Sequence, residues 1–364
     1  MESKAILLLI TGLGMGGAER QVCELADQFA AKGHEVLLIS MTGETVNRPQ
    51  SANVKVVELN MVKTPQGFIN AYWQVRQLIK QFKPDVVHSH MVHANLFARL
   101  LRIAVPIPKL ICTAHNSNEG GRGRMLAYRL TDRLCDLTTN VSEEAVDAFV
   151  TQGAVPATRM LTMHNGIDVS RFFFNSVNRR QLRAELNLTD DALLVLAVGR
   201  LTDAKDYPNL LRAFSQLVIK KDKAQLAIIG IGEELGNLIA MVAEFGLIEH
   251  VHFLGLRRDV HEWMSAADVF VLSSAWEGFG LVVAEAMACQ RVVVATDCGG
   301  VKEVLGHCGI LVPPKDHLAL MSGIEKALEM NHDEIEMMGI LARERIVTHY
   351  SLNAQAERWL SLYQ

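Results

Sequence analysis

Short apolar runs without polar alternation, each followed by a helix-length stretch, recur along most of this chain. In the first half the runs are 5–10, 36–39, 85–88 and 110–113, and helical periodicity falls at about 18–31, 67–82 and 94–103. Runs this apolar must be covered on both faces, which is the condition of parallel strands joined by crossover helices. Helices around 124–134 and 143–150 complete this half. The pattern fails over 165–191, where Asn165-Gly166 is a turn signal and a polar, Arg-rich segment follows. It restarts with strand-like runs at 193–199, 226–230, 251–254, 269–272 and 292–295. The expected fold is therefore α/β, with two facing Rossmann-like doubly wound domains and a cleft between them. The expected divisions are a first domain over 1–165, a linker over 166–190, a second domain over 191–345, and a terminal helical segment over 346–364 that braces the first domain.

A chain of 364 residues with 49% apolar and 21% charged content is long enough for two ordinary domains. A formal charge of −4 and a pI near 6.4 leave no basic footprint for nucleic acid. The cysteines (Cys23, Cys112, Cys135, Cys289, Cys298 and Cys308) form no C-x-x-C pair, so the expected compartment is the reducing cytoplasm. No apolar stretch approaches a bilayer span, and the N-terminus runs into a glycine loop instead of a cleavage site.

In open parallel sheets, ligands bind outside the carboxyl ends of the strands, so candidate residues are sought just after each run. The most specific stretch is Glu277-Gly278-Phe279-Gly280-Leu281-Val282-Val283-Ala284-Glu285. One acid is expected on a loop and the other about two turns inside the following helix, with unsatisfied backbone N–H groups between them. A helix mouth of this kind suits an anion while the acids take hydroxyls, which is the chemistry of a nucleotide-sugar. Two surface acids are the plain alternative, but Glu285 is the only charge in an apolar helix, and burial without a partner is costly. Arg200 and Lys205 follow Gly199 and suit a diphosphate, as a bidentate guanidinium beside a point charge, unless they are a solvated pair.

Gly12-Leu13-Gly14-Met15-Gly16-Gly17 formally satisfies G-x-G-x-x-G. The second strand end carries no acid for a dinucleotide ribose, and no tyrosine has a lysine four residues on. A loop that lets a ligand approach the backbone is the better reading, with a tight structural turn as the alternative. His115 ends a first-half strand and is either a site residue or a capping one. His88, His90 and His93 invite a metal reading, but no acid completes a shell, so a pocket wall or packing is the alternative. Arg122, Arg124, Arg129 and Arg133, interleaved with Leu126, Tyr128, Leu130 and Leu134, form a basic amphipathic stretch, either a solvated face or an attraction to anionic lipid.

With Gly16-Gly17-Ala18-Glu19-Arg20, His115, Asn165-Gly166-Ile167-Asp168, Gly199-Arg200, Lys205 and Glu277 through Glu285 in order, nearly the whole chain resembles the family-four retaining glycosyltransferases of GT-B fold. The resemblance implies a donor-binding second domain and an acceptor-binding first domain. It implies that Arg200 and Lys205 bind the donor diphosphate, that Glu285 binds ribose and that Glu277 lies by the transferred sugar. The backbone of Phe279, Gly280 and Leu281 would contact sugar hydroxyls and phosphate, Leu254 would border the base, and His115 would contact the transferred sugar. Gly16 and Gly17 would let the first domain close over the phosphates.

No cofactor and no metal are expected, since the two cations and the helix amides can stabilise the departing diphosphate. The expected partners are a nucleotide-sugar donor, UDP- before GDP-linked, and a saccharide or lipid-linked acceptor. Peripheral contact with an anionic membrane is expected through the four arginines, and no nucleic acid. The rival readings are a nucleotide-sugar 2-epimerase of similar fold and a non-catalytic nucleotide-sugar-binding protein.

Overall fold

Parallel pairing alone builds both sheets of the computed structural model, which describes every residue except Met1, Asn118 and Asp190. Met1 and Asp190, ends of two expected segments, lie outside the described residues. The chain divides into two compact units, one running to Gly166 and including Leu352–Gln364, the other covering Ile167–Ser351.

The first unit contains β1 (Ala5–Ile10), α1 (Gly17–Ala31), β2 (Glu35–Ser40), β3 (Val54–Glu58), α2 (Pro65–Phe82), β4 (Val86–His90), α3 (Val92–Ala104), β5 (Lys109–Thr113), α4 (Arg122–Thr131), β6 (Leu137–Asn140), α5 (Glu143–Thr151) and β7 (Met160–Thr162). Its sheet order is β3-β2-β1-β4-β5-β6-β7. Local chemistry sets the helix starts: Thr64 accepts from the Gly67 amide ahead of Pro65, and Ser142 accepts from the Ala145 amide. Strand β6 gives no apolar signal because it is Leu-Thr-Thr-Asn. Its polar side chains are buried but bonded, Thr139 to Thr113 at 2.7 Å and Thr138 to Arg99 at 2.8 Å.

The second unit contains α6 (Ser176–Glu185), β8 (Leu193–Val198), α7 (Tyr207–Lys220), β9 (Ala224–Ile229), α8 (Leu235–Glu244), β10 (Val251–Gly255), α9 (Val260–Ala266), β11 (Val269–Leu272), α10 (Leu281–Ala288), β12 (Val292–Thr296), α11 (Val301–Leu305), β13 (Ile310–Val312), α12 (His317–Leu328) and α13 (His332–Tyr350). Its sheet order is β10-β9-β8-β11-β12-β13. The stretch expected as a patternless linker thus holds α6. Its arginines are its docking face: Arg179 donates to the carbonyls of Ala266 and Ala267 at 2.8 and 2.9 Å, and Arg183 pairs with Asp268 at 3.1 Å.

The terminal helical stretch is two helices. At Ser351 the backbone turns extended, and the chain returns to the first unit as α14 (Leu352–Leu362). Leu352, Trp359, Leu360 and Tyr363 enter the core formed by β1, β2 and α1, with the Phe29 and Tyr363 rings 5.5 Å apart. The first sheet therefore depends on the far end of the chain for one of its covers. Trp359→Ala is expected to cost roughly 3–5 kcal/mol of stability. Thermal unfolding checks this, and an unchanged midpoint would show that α14 adds nothing to that core.

Candidate functional site

In the second sheet the chain first moves from β8 through β9 to β10, then returns to place β11 on the other side of β8. The connections leaving β8 and β11 diverge, which opens a crevice at their carboxyl ends. Residues 199–205 and 273–280 fill that place. Backbone and side-chain bonds tie the two loops: the Ala275 amide donates to the Ala204 carbonyl at 2.9 Å, and Ser273 Oγ donates to the Lys205 carbonyl at 2.8 Å. Above these bonds the Lys205 ammonium donates to Glu277 Oε1, which also accepts from Ser274 Oγ at 2.8 Å. Both side chains keep an exposed edge, 20% for Lys205 and 14% for Glu277. Gly199 makes room for the lysine stem, since a Cβ there would stand 2.9 Å from Lys205 Cε.

The two cations expected to act together differ in state. Lys205 is already compensated by Glu277, whereas the Arg200 side chain is exposed and makes no hydrogen bond or ion pair with the described residues. Gly280 adopts φ +82 as the N-cap of α10, a conformation that favours glycine. The helix thus begins at Leu281, and Glu285 lies one turn inside it, not two. Glu285 is buried, at 1% exposure. The amides of Leu281 and Val282 have no intrahelical acceptor by position. Phe279 is buried with its ring 5.7 Å from that of Tyr350, so only its backbone can meet a ligand. Leu254 lies on edge strand β10 at a bulge between Phe253 and Gly255, a usual device for re-aiming a side chain.

The first sheet has the same reversal between β1 and β4. Gly16 is the N-cap of α1 and Gly17 its first residue. Strand β4 continues through His88 and His90, and their rings lie 4.0 Å apart. Both His88 nitrogens are engaged, Nδ1 with Tyr363 OH and Nε2 with Thr113 Oγ1, each at 2.6 Å, so this ring is a structural strut and not a ligand. His90 Nδ1 is 3.2 Å from His115 Nε2. His90 and His115 line a recess with Gln21, Thr113, Asn165 and Trp359 that has room for about one water molecule.

Beneath His115 is a polar network that motif reading missed. Glu119 accepts from the His115 amide at 3.1 Å and from Tyr128 OH at 2.7 Å, and Asn95 Nδ2 donates to Tyr128 OH at 2.8 Å. Buried Arg99 donates to the Tyr128 carbonyl at 2.9 Å and holds its guanidinium 4.8 Å over that ring. Burial raises the Glu119 carboxyl and the Tyr128 hydroxyl above their ordinary ranges. A trace was present in the sequence: Asn95 and Arg99 sit four apart in an apolar helix, and Glu119 is the only acid between Asp85 and Asp132.

Helix α4 buries Met125 and Tyr128 and exposes Arg122, Arg124 and Arg129 together with Leu126 and Leu130; Arg133, just beyond it, is also exposed. This is the outer part of a wider asymmetry. Residues 59–131 carry ten Lys and Arg against two acids, in a chain whose total charge is −4. Ile69 and Trp73 on α2 and Ile103 on α3 are exposed in the same unit. Among the described residues, no helix is long and apolar enough to cross a membrane.

Residues 15–171 match the family described as Glycosyltransferase Family 4, and residues 178–345 match Glycosyl transferases group 1. The N-acetyl-alpha-D-glucosaminyl L-malate synthase of Bacillus anthracis is 23% identical over 96% of this chain and 93% of its own. The N-acetylgalactosamine-N,N'-diacetylbacillosaminyl-diphospho-undecaprenol 4-alpha-N-acetylgalactosaminyltransferase of Campylobacter jejuni is 25% identical over 88% of this chain and 89% of its own. The crystal structure of Anabaena HepE in complex with UDP shares the fold, with TM-score 0.86 and 21% identity over 98% of each chain. The two Rossmann-like domains are those of the GT-B fold, and the chain belongs to the glycosyltransferases of that type.

Desolvation depresses the buried histidines, His88 to about 3 and His115 to about 4, with His90 also well below the ordinary 6.5. A folded-state pKa below the unfolded value stabilises the fold above about 6.5, and that contribution is lost as pH falls toward 4 and then 3. The thermal midpoint is therefore expected to fall between pH 7 and pH 5, and less steeply in His88→Gln. A flat profile over that range would contradict the buried neutral histidines.

Proposed function

We propose that this chain is a retaining glycosyltransferase that needs no metal. It moves a hexosyl or N-acetylhexosaminyl group from a nucleotide diphosphate-sugar, UDP- before GDP-linked, to a hydroxyl of a lipid-linked saccharide in surface polysaccharide assembly. The observation that carries the reading is the Lys205–Glu277 pair, braced by Ser274 at the β8/β11 reversal beside the N-terminus of α10. The UDP bound to HepE favours a uridine donor, and the diphospho-undecaprenol in the Campylobacter enzyme's name favours a lipid-linked acceptor.

Breaking the bond from the anomeric carbon to the diphosphate builds positive charge on the sugar and negative charge on the leaving group. Arg200, Lys205 and the first amides of α10 stabilise the latter. Lys205 is oriented by Glu277 before donor binds, whereas Arg200 is free to swing onto phosphate oxygens. Glu285 takes the ribose hydroxyls, Leu254 borders the base, and Glu277 and His115 contact the transferred sugar. The backbone at Phe279, Gly280 and Leu281 meets sugar and phosphate, and Gly16 and Gly17 allow close approach to the phosphates. Retention follows when the acceptor hydroxyl attacks the face that the diphosphate leaves and gives its proton to a phosphate oxygen.

Arg200→Ala and Lys205→Ala are expected to lower turnover on the order of a hundredfold. The assay is release of nucleoside diphosphate over a panel of UDP- and GDP-sugars with and without EDTA, and circular dichroism confirms the fold. Full activity in either variant, or dependence on added Mg²⁺, would overturn the assignment. On the acceptor side, reversing the charge of Arg122, Arg124, Arg129 and Arg133 is expected to abolish co-sedimentation with vesicles rich in phosphatidylglycerol. Unchanged co-sedimentation would remove the membrane from the proposal.

A further inference from the structure

His115 has two ring nitrogens, and which of them bears hydrogen decides whether it can donate or accept toward a ligand. Its Nε2 meets His90 Nδ1 at 3.2 Å, while its Nδ1 edge has no partner among the described residues. His90 is 2% exposed, and its other nitrogen, Nε2, is buried and makes no hydrogen bond. A neutral imidazole carries one N–H. Placed on Nε2 of His90, that hydrogen would be an orphaned buried donor, which folded proteins rarely leave, whereas an unpaired acceptor is more readily tolerated. Placed on Nδ1, it donates to His115 Nε2. In the recess beside His90, Gln21 Oε1 accepts the Gly166 amide at 2.7 Å, which fixes its NH2 group as a second buried donor and leaves the hydrogen of His90 best placed on the ring nitrogen that has an acceptor, Nδ1.

We infer that His90 is a positioning residue that locks His115 in the tautomer with hydrogen on Nδ1, so that His115 presents a fixed neutral donor and has no free lone pair to act as a base. The inference rests on the reading of His115 as a sugar contact and sharpens it: the residue donates to a sugar oxygen and takes no proton from the acceptor. The His90 ring is itself held from behind by His88, 4.0 Å away, whose two nitrogens are anchored by Tyr363 and Thr113. Glu119, four residues on, bonds the backbone amide of His115 and not its ring. Both rings stay neutral at pH 7, in keeping with the depressed pKa values that burial gives them.

The test is a long-range proton–nitrogen NMR correlation on the full chain labelled with ¹⁵N-histidine at pH 7, with His115 identified by the peak lost in His115→Gln. The Nδ1–H pattern is expected in the native chain, a shift toward Nε2–H in His90→Phe, and restoration in His90→Asn, whose carboxamide can donate from the place of Nδ1. An Nε2–H pattern for His115 in the native chain would overturn the lock, as would an unchanged pattern in folded His90→Phe. If His90→Phe does not fold, the native spectrum decides. The readout involves no turnover, so the sugar-contact reading fails separately: undiminished transfer by His115→Ala would remove that role and leave the tautomer result standing.

Discussion

Everything chemical in the second unit depends on one topological constraint, the reversal of strand order at β8. Because every strand is parallel, each loop after a strand opens at the same edge. Only between β8 and β11 do neighbouring strands send their chains apart. The Lys205–Glu277 pair occupies that place, and it does so through backbone bonds between the two loops and not through the ion pair alone. A partly buried pair gives back little net stability once desolvation is counted, so its value lies in geometry. The ammonium is held at one point, next to a helix start that Gly280 makes possible by its positive φ.

The two cations differ in state. Lys205 is preorganised and already neutralised, so under the proposed role it would need little reorganisation on meeting a phosphate. Arg200 keeps an unshared charge on an exposed side chain, and the proposal gives it the bidentate fork. In the first unit preorganisation takes another form. A line of rings, Tyr363, His88, His90 and His115, runs from the C-terminal helix to the strand-end loop, so Tyr363 helps set the orientation of His115, more than two hundred positions earlier.

Most of the fold was legible because parallel strands buried on both faces read as continuous apolar runs, as in Ala5–Ile10 and Leu193–Val198. Elements that earn their place by polar chemistry were not. The strand Leu137–Asn140 is buried through threonine hydroxyls, and the helix Ser176–Glu185 docks by arginines on carbonyls; neither shows the expected periodicity. The candidate stretches Glu277–Glu285 and Arg200–Lys205 stand out in the sequence because glycines and charges interrupt apolar runs at strand ends. Glu119 and Arg99 belong to no motif, and Arg99 meets Tyr128 and Thr138 only in the folded sheet; His90 was legible as a pocket wall or a packing residue, but its bond to His115, 25 positions on, was not.

The central claim, that the β8/β11 reversal holds a donor diphosphate, is tested most directly by calorimetric titration of UDP and of uridine into the native chain and into the Arg200→Ala, Lys205→Ala double variant. UDP is expected to bind the native chain more tightly than uridine by about tenfold or more, an advantage that disappears in the variant while uridine binding persists. Equal binding of UDP and uridine by the native chain, or an undiminished UDP advantage in the variant, would contradict it.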